Sequence, residues 1–77
     1  MEFEAKKTVD LRGVACPMNF VKTKVALETI EPGEILEVVL DEGEAILNVP
    51  RSVKEEGHKV LKVVPEDSFF HVYIERV

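Results

Sequence analysis

The stretch TVDLRGVACPMNFVKTKVALETIEPGEILEVVL, Thr8 to Leu40, decides the fold. It opens with an alternation, Val9 and Leu11 on one side and Thr8 and Asp10 on the other, which is the period of a strand. A loop opened by Gly13 follows. Phe20, Thr23, Leu27 and Ile30, with Ala26 alongside, then fall at the spacing of one core-facing helical stripe. That helix is predicted from Pro17 to about Ile30, with Pro32 and Gly33 as its stop. Glu34 to Leu40 is rich in branched residues, places Leu36, Val38 and Leu40 on one face, and reads as a central strand.

Working outward from this strand-helix-strand unit, Asp41 to Glu44 makes a turn around Gly43, and Ala45 to Glu56 is a second helical region. Proline is poorly tolerated inside a helix, so Pro50 predicts one turn near Ala45 to Leu47 and a short regular helix from about Val49 to Gly57. Val49 and Val53 would be its buried side. Lys59 to Val64 and Phe69 to Glu75 read as strands joined by the turn Pro65-Glu66-Asp67-Ser68. Phe70, Val72 and Ile74 should point to the core, and Phe69, His71 and Tyr73 to the other face. The order β-α-β-α-β-β implies an α/β two-layer sandwich: a mixed four-stranded sheet with two helices on one face. Residues 1–6 are expected to be frayed.

The 77 residues suit one small domain, 1–77, and their balance of 45% hydrophobic and 32% charged residues is that of a globular chain. Fifteen acidic against ten basic residues, a net charge of −5, argue against nucleic acid as the main partner. Apolar runs fall well short of the roughly 20 residues a membrane helix needs. A single cysteine excludes an internal disulfide, and with no secretory signal the expected setting is the cytoplasm. His58, His71 and Cys16 are scattered singly, without the close pairs of a zinc site, so neither metal nor cofactor is expected.

That lone cysteine carries the chemistry. Proline is favoured at the first helical position, so Cys16 before Pro17 should take the N-cap, near the helix's positive end. Unpaired N–H groups there lower a thiol's pKa and raise its thiolate fraction. Asp10, Arg12, Gly13, Pro17 and Asn19 surround the thiol in sequence and are the candidate supports of its loop. Asp10 and Arg12 are read first as a local ion pair, with Arg12 holding a persulfide anion or a partner's carboxylate as the alternative. Met18, Val21 and Val25 lie opposite Phe20 and Leu27, so they are either covered or form an exposed patch. With Lys22 they are the candidate docking surface. His58, after Gly57, is read as a cap of the second helix.

The run Asp10-Leu11-Arg12-Gly13-Val14-Ala15-Cys16-Pro17 followed by Thr23-Lys24-Val25-Ala26-Leu27 resembles the signature of the TusA/SirA-like sulfur-carrier family. Pro32 to Val38, Asn48-Val49-Pro50 and Gly57-His58 continue the resemblance, which covers about residues 8 to 76. It implies the same sandwich, with Cys16 receiving a sulfane sulfur as a persulfide. The implied donor is a cysteine desulfurase or a rhodanese-like protein. The implied acceptors serve tRNA thiolation, the molybdenum cofactor or sulfur metabolism. One position departs: the family's Cys-Pro-x-Pro has Asn19 in place of the second proline, which returns a backbone N–H to the first turn and adds a side-chain amide.

Two other classes compete. A regulatory or RNA-associated binding module would leave Cys16 incidental or a redox sensor, and a stand-alone thiol oxidoreductase would need an external thiol to resolve its disulfide. A carrier needs only one thiolate and access to another protein's sulfur.

Overall fold

The computed structural model describes residues 5–15 and 17–77. The order of elements is β1 (Lys7–Asp10), α1 (Met18–Glu28), β2 (Ile35–Asp41), α2 (Glu44–Glu55), β3 (Lys59–Glu66) and β4 (Phe69–Glu75), the β-α-β-α-β-β order expected from periodicity. The strands form one sheet in the order β1-β2-β4-β3. β1 runs parallel to β2, and β4 lies antiparallel between β2 and β3. The sheet is therefore mixed, and the three strands other than β4 share a direction.

β2 is central, as its composition predicts, and its Leu36, Val38 and Leu40 have no exposed surface. They meet Val72 and Ile74 of β4, Leu27 of α1, and Val49 and Val53 of α2 in a single core. Both helices thus cover the same face of the sheet, and among the described residues the face bearing Glu37, His71 and Tyr73 carries none.

Four boundaries differ from expectation. Pro17, with φ −93° and ψ 5°, holds the N-cap position of α1, so the regular helix begins one residue later than the Cys16 cap predicts. An Asn19 N–H to Ala15 carbonyl bond of 3.1 Å already closes a turn ahead of it. α2 is one helix through Pro50 rather than two pieces. A proline inside a helix costs about 3 kcal/mol, but Ala45, Val49 and Val53 form one buried stripe that would break if the helix did. The β3–β4 hairpin is tighter than predicted: Pro65 and Glu66 belong to β3, Glu66 pairs with Phe69, and Asp67 and Ser68 alone turn the chain, Asp67 at φ +52°. β3 is an edge strand, where proline's missing N–H is tolerated. Finally, Lys6 is not frayed, since its N–H bonds the Ile35 carbonyl at 2.7 Å. The fraying expected of residues 1–4 lies outside the described residues.

α2 ends in a Schellman arrangement around Gly57 at φ +97°, in which Gly57 N–H bonds the Lys54 carbonyl and His58 N–H the Val53 carbonyl. His58 therefore caps through its backbone. Its ring Nδ1 accepts the Val77 N–H at 3.2 Å.

Two leucines of the same chemistry separate the faces of the helices: Leu27 is 2% exposed and Leu47 is 71% exposed. Leu27→Ala should cost about 2–5 kcal/mol. Leu47→Ala should stay within about 0.5 kcal/mol. Urea unfolding of both variants checks this, and similar losses would contradict the placement of α2.

Candidate functional site

The loop from β1 into α1 is built around a tight turn. Leu11, buried, anchors it, and the Val14 N–H bonds the Leu11 carbonyl at 3.1 Å. Gly13, third of the four turn residues, has φ +81°, the left-handed conformation a type II turn requires there. The Gly13 N–H also donates to Asp41 Oδ2 at 2.6 Å, which ties the loop to the end of β2. Beyond the turn, Ala15 and Pro17 are both exposed. Cys16, between them, lies outside the described residues, as does every expectation about its thiol.

Asp10 and Arg12 form the local ion pair expected of them. Arg12 Nε lies 3.0 Å from Asp10 Oδ1 and Nη2 2.8 Å from Oδ2, a two-point fork, and the Arg12 backbone N–H bonds Oδ1 as well at 3.1 Å. The Arg12 side-chain bond, and then its backbone N–H, hold the Asp10 carboxyl down to a pKa of about 2. The guanidinium also lies 4.6 Å from the centre of the Phe69 ring, a cation–π distance that places it over the open sheet face.

Asn19 is turned inward. Its side chain is buried, Oδ1 accepts the Phe20 N–H at 2.7 Å, and its own N–H makes the Ala15 bond that a proline could not. Thr23, the next buried polar residue, donates its hydroxyl to the Asn19 carbonyl at 2.8 Å. The core-facing column of α1 is thus Asn19, Thr23, Ala26 and Leu27, with Phe20 half-buried beside it.

Met18, Val21 and Val25 are 51%, 42% and 56% exposed, which settles the alternative left open by their spacing: they form a surface patch. Met18, Val21, Lys22 and Val25 of α1 line a shallow groove of about 500 Å³ with Lys7 and Val9 of β1. Lys24 is engaged elsewhere, 3.4 Å from Glu56.

A second cluster was not read from the sequence. On the open face, His71 Nδ1 lies 2.6 Å from Glu37 Oε2 and Nε2 lies 2.6 Å from Glu66 Oε1. A doubly protonated ring can donate to both carboxylates, and in that form the clamp joins β2, β4 and β3. The Glu66 carboxylate, with Glu37 and against the effect of burial, raises the His71 pKa. The alternation of Phe69, His71 and Tyr73 gave its face, but the carboxylates come from two other strands. Among the described residues no group of three His, Cys, Asp or Glu side chains is placed to hold a metal ion, and no helix is long and apolar enough to cross a membrane.

A family model described as sulfurtransferase TusA matches residues 7–76, which takes in the β1–α1 loop and all six elements. The chain belongs to the TusA family. A relative from Archaeoglobus fulgidus, named "Putative sulfur carrier protein", is 48% identical over 62 residues, covering 80% of this chain and 70% of the relative. One from Thermotoga maritima with the same name is 44% identical over 62 residues, covering 80% and 78%. The solved structure of a SirA-like protein from Desulfitobacterium hafniense superposes with a TM-score of 0.76 over 90% of this chain and 95% of that one, at 23% identity. It shares the fold.

Two tests follow from the geometry. Nothing lies within 4 Å of a Cβ built at Gly13, so the cost of Gly13→Ala is conformational alone, about 1–2 kcal/mol in urea unfolding. The His71 clamp has a sign. Because the folded pKa is raised, its contribution is complete below the ring's ordinary pKa near 6.5 and is lost as pH rises through the folded value. The urea midpoint should fall across that window in the wild type and stay flat in His71→Gln, and equal slopes would contradict the clamp.

Proposed function

We propose that this protein is a cytoplasmic sulfur carrier: Cys16 accepts a sulfane sulfur, holds it as a persulfide and yields it to an acceptor protein. The observation that carries the reading is the family match across residues 7–76, because the Cys16-Pro17 motif of the resemblance falls inside it. The names of the relatives from Archaeoglobus fulgidus and Thermotoga maritima point the same way.

In this reading the Cys16 thiolate attacks the outer sulfur of a donor's persulfide. One S–S bond forms at Cys16 as the donor's S–S bond breaks, and the donor's thiolate leaves. No external oxidant or reductant is consumed, so one cysteine suffices. Delivery repeats the exchange with the acceptor as nucleophile. Cysteine desulfurases and rhodanese-like proteins are the proposed donors, with acceptors in tRNA thiolation, molybdenum-cofactor or sulfur metabolism.

The rest of the loop is assigned supporting roles. Gly13 and Asp41 hold its entry, and the Asp10–Arg12 fork braces it against Phe69. Pro17 and Asn19 start the helix, whose positive end favours an anion. Met18, Val21, Lys22 and Val25 provide the docking surface, on the helix that follows Cys16 in sequence. Since Arg12 is already forked onto Asp10, its role is to anchor the loop rather than to bind the persulfide.

Intact mass after incubation with a cysteine desulfurase and cysteine tests the proposal. The expected result is the addition of one sulfur atom, reversed by reductant and absent from Cys16→Ala. If Cys16 takes up alkylating reagent but no sulfur, from the enzyme or from polysulfide, the carrier reading is wrong.

A further inference from the structure

The groove between β1 and α1 combines two unused recognition elements. β1 is an edge strand, so its outer backbone groups face away from the sheet. Beside that edge stand Met18, Val21 and Val25, apolar side chains that no other element of the described residues covers. The charge of the groove is the reverse of the chain's. The protein carries fifteen acidic and ten basic residues, yet the charged residues lining the groove are Lys7 and Lys22, with no carboxylate among them. Lys7 has a hydroxyl partner, Thr29 Oγ1 at 3.2 Å, and neither lysine is in an ion pair among the described residues. The acidic residue of β1, Asp10, is committed to Arg12 at the strand's far end.

We infer that the groove takes an extended acidic segment of a partner protein, added as a strand along the free edge of β1. Its apolar residues would rest against Met18, Val21 and Val25, and its carboxylates would meet Lys7 and Lys22. Strand addition supplies main-chain hydrogen bonds from an edge that is already ordered, and alternate side chains supply the specificity. A second copy of this chain is the poorer occupant, because a two-fold pairing of this groove with itself would set lysine against lysine. The inference rests on the proposed docking role of this face only for who the partner is, and its test does not use the thiol.

The probe is a short, end-blocked peptide with threonine at every second position and valine and glutamate in turn at the positions between, so that both apolar and acidic side chains face the groove, titrated into the Cys16→Ala protein and followed by backbone amide resonances. Shifts are expected at residues 7–10 and 18–25, with affinity that falls as salt rises. The doubly charge-reversed variant Lys7→Glu with Lys22→Glu should bind roughly tenfold more weakly, with its remaining amides unmoved as evidence that it folds. Equal binding of a lysine-for-glutamate peptide would overturn the inference, as would shifts confined to the open face around Phe69 and Tyr73. So would sedimentation of the free protein as a dimer closed over α1, or exposure of the groove only on deletion of residues 1–4, which would make a second copy or the chain's own N-terminus the occupant. Sulfur loading of Cys16 in the wild-type protein remains a separate measurement, so either proposal can fail alone.

Discussion

Leu36, Val38 and Leu40 of β2 have no exposed surface, and the need to keep that one face dry arranges everything else. Four strands spaced about 4.8 Å apart make a sheet roughly 15–19 Å across, and a helix with its side chains is about 10 Å wide. Two helices therefore cover one face, and no helix among the described residues covers the other. Each helix follows a strand of the parallel set, so both N-termini emerge at the same end of the sheet. There Gly13 of the first crossover donates to Asp41 of the second, a single bond that joins the loop before α1 to the turn before α2. The position of the candidate loop is thus a consequence of how the core is closed.

Much of this was legible because one-sided burial writes a period into the sequence. The alternation in β2 and β4 and the Val49–Val53 pair of α2 each named the residues that pack inward, and all of them are buried or half-buried. What escaped were positions where a local rule lost to a tertiary one. Pro50 argues against a continuous helix, but the stripe Ala45, Val49 and Val53 is worth more buried than the bond the proline removes. Asn19 is polar and so was left out of the core stripe, yet it is buried because its carbonyl, N–H and side-chain oxygen all find partners within the first turns of α1. Pro65 looked like a turn residue, but at the edge of the sheet it costs no ladder bond.

The site divides along the same line. Asp10 and Arg12 are two residues apart, and their pairing could be read from sequence because it is local. The Glu37–His71–Glu66 clamp could not, since its members are brought together only by the strand order β2-β4-β3. A sequence signal for it exists in hindsight: histidine on the face of a strand that no helix covers needs partners for two ring nitrogens, and acidic residues at open-face positions of the neighbouring strands can supply them. The exposed patch on α1 was legible as a contradiction, apolar residues on both sides of one helix, but only the count of layers decided which side would be dry.

The size of that patch fits a relay better than a permanent complex. Complete burial of an aliphatic side chain is worth about 1.5–3 kcal/mol, and Met18, Val21 and Val25 are already about half covered, at 51%, 42% and 56% exposed. Their further burial contributes roughly 2–4 kcal/mol, less than the 4–15 kcal/mol that association costs in lost freedom of motion. A partner held by these three residues alone would not stay bound. Hydrogen bonds along β1 and charges opposite Lys7 and Lys22 would have to supply the balance, and both are features a partner can have or lack. An apolar face too small to bind indiscriminately, next to an edge and two cations that suit one kind of segment, would make recognition selective and release fast. A carrier of the proposed kind, meeting a donor and an acceptor in turn, would require both properties, because a complex stable enough to persist would stop the transfer at its first step.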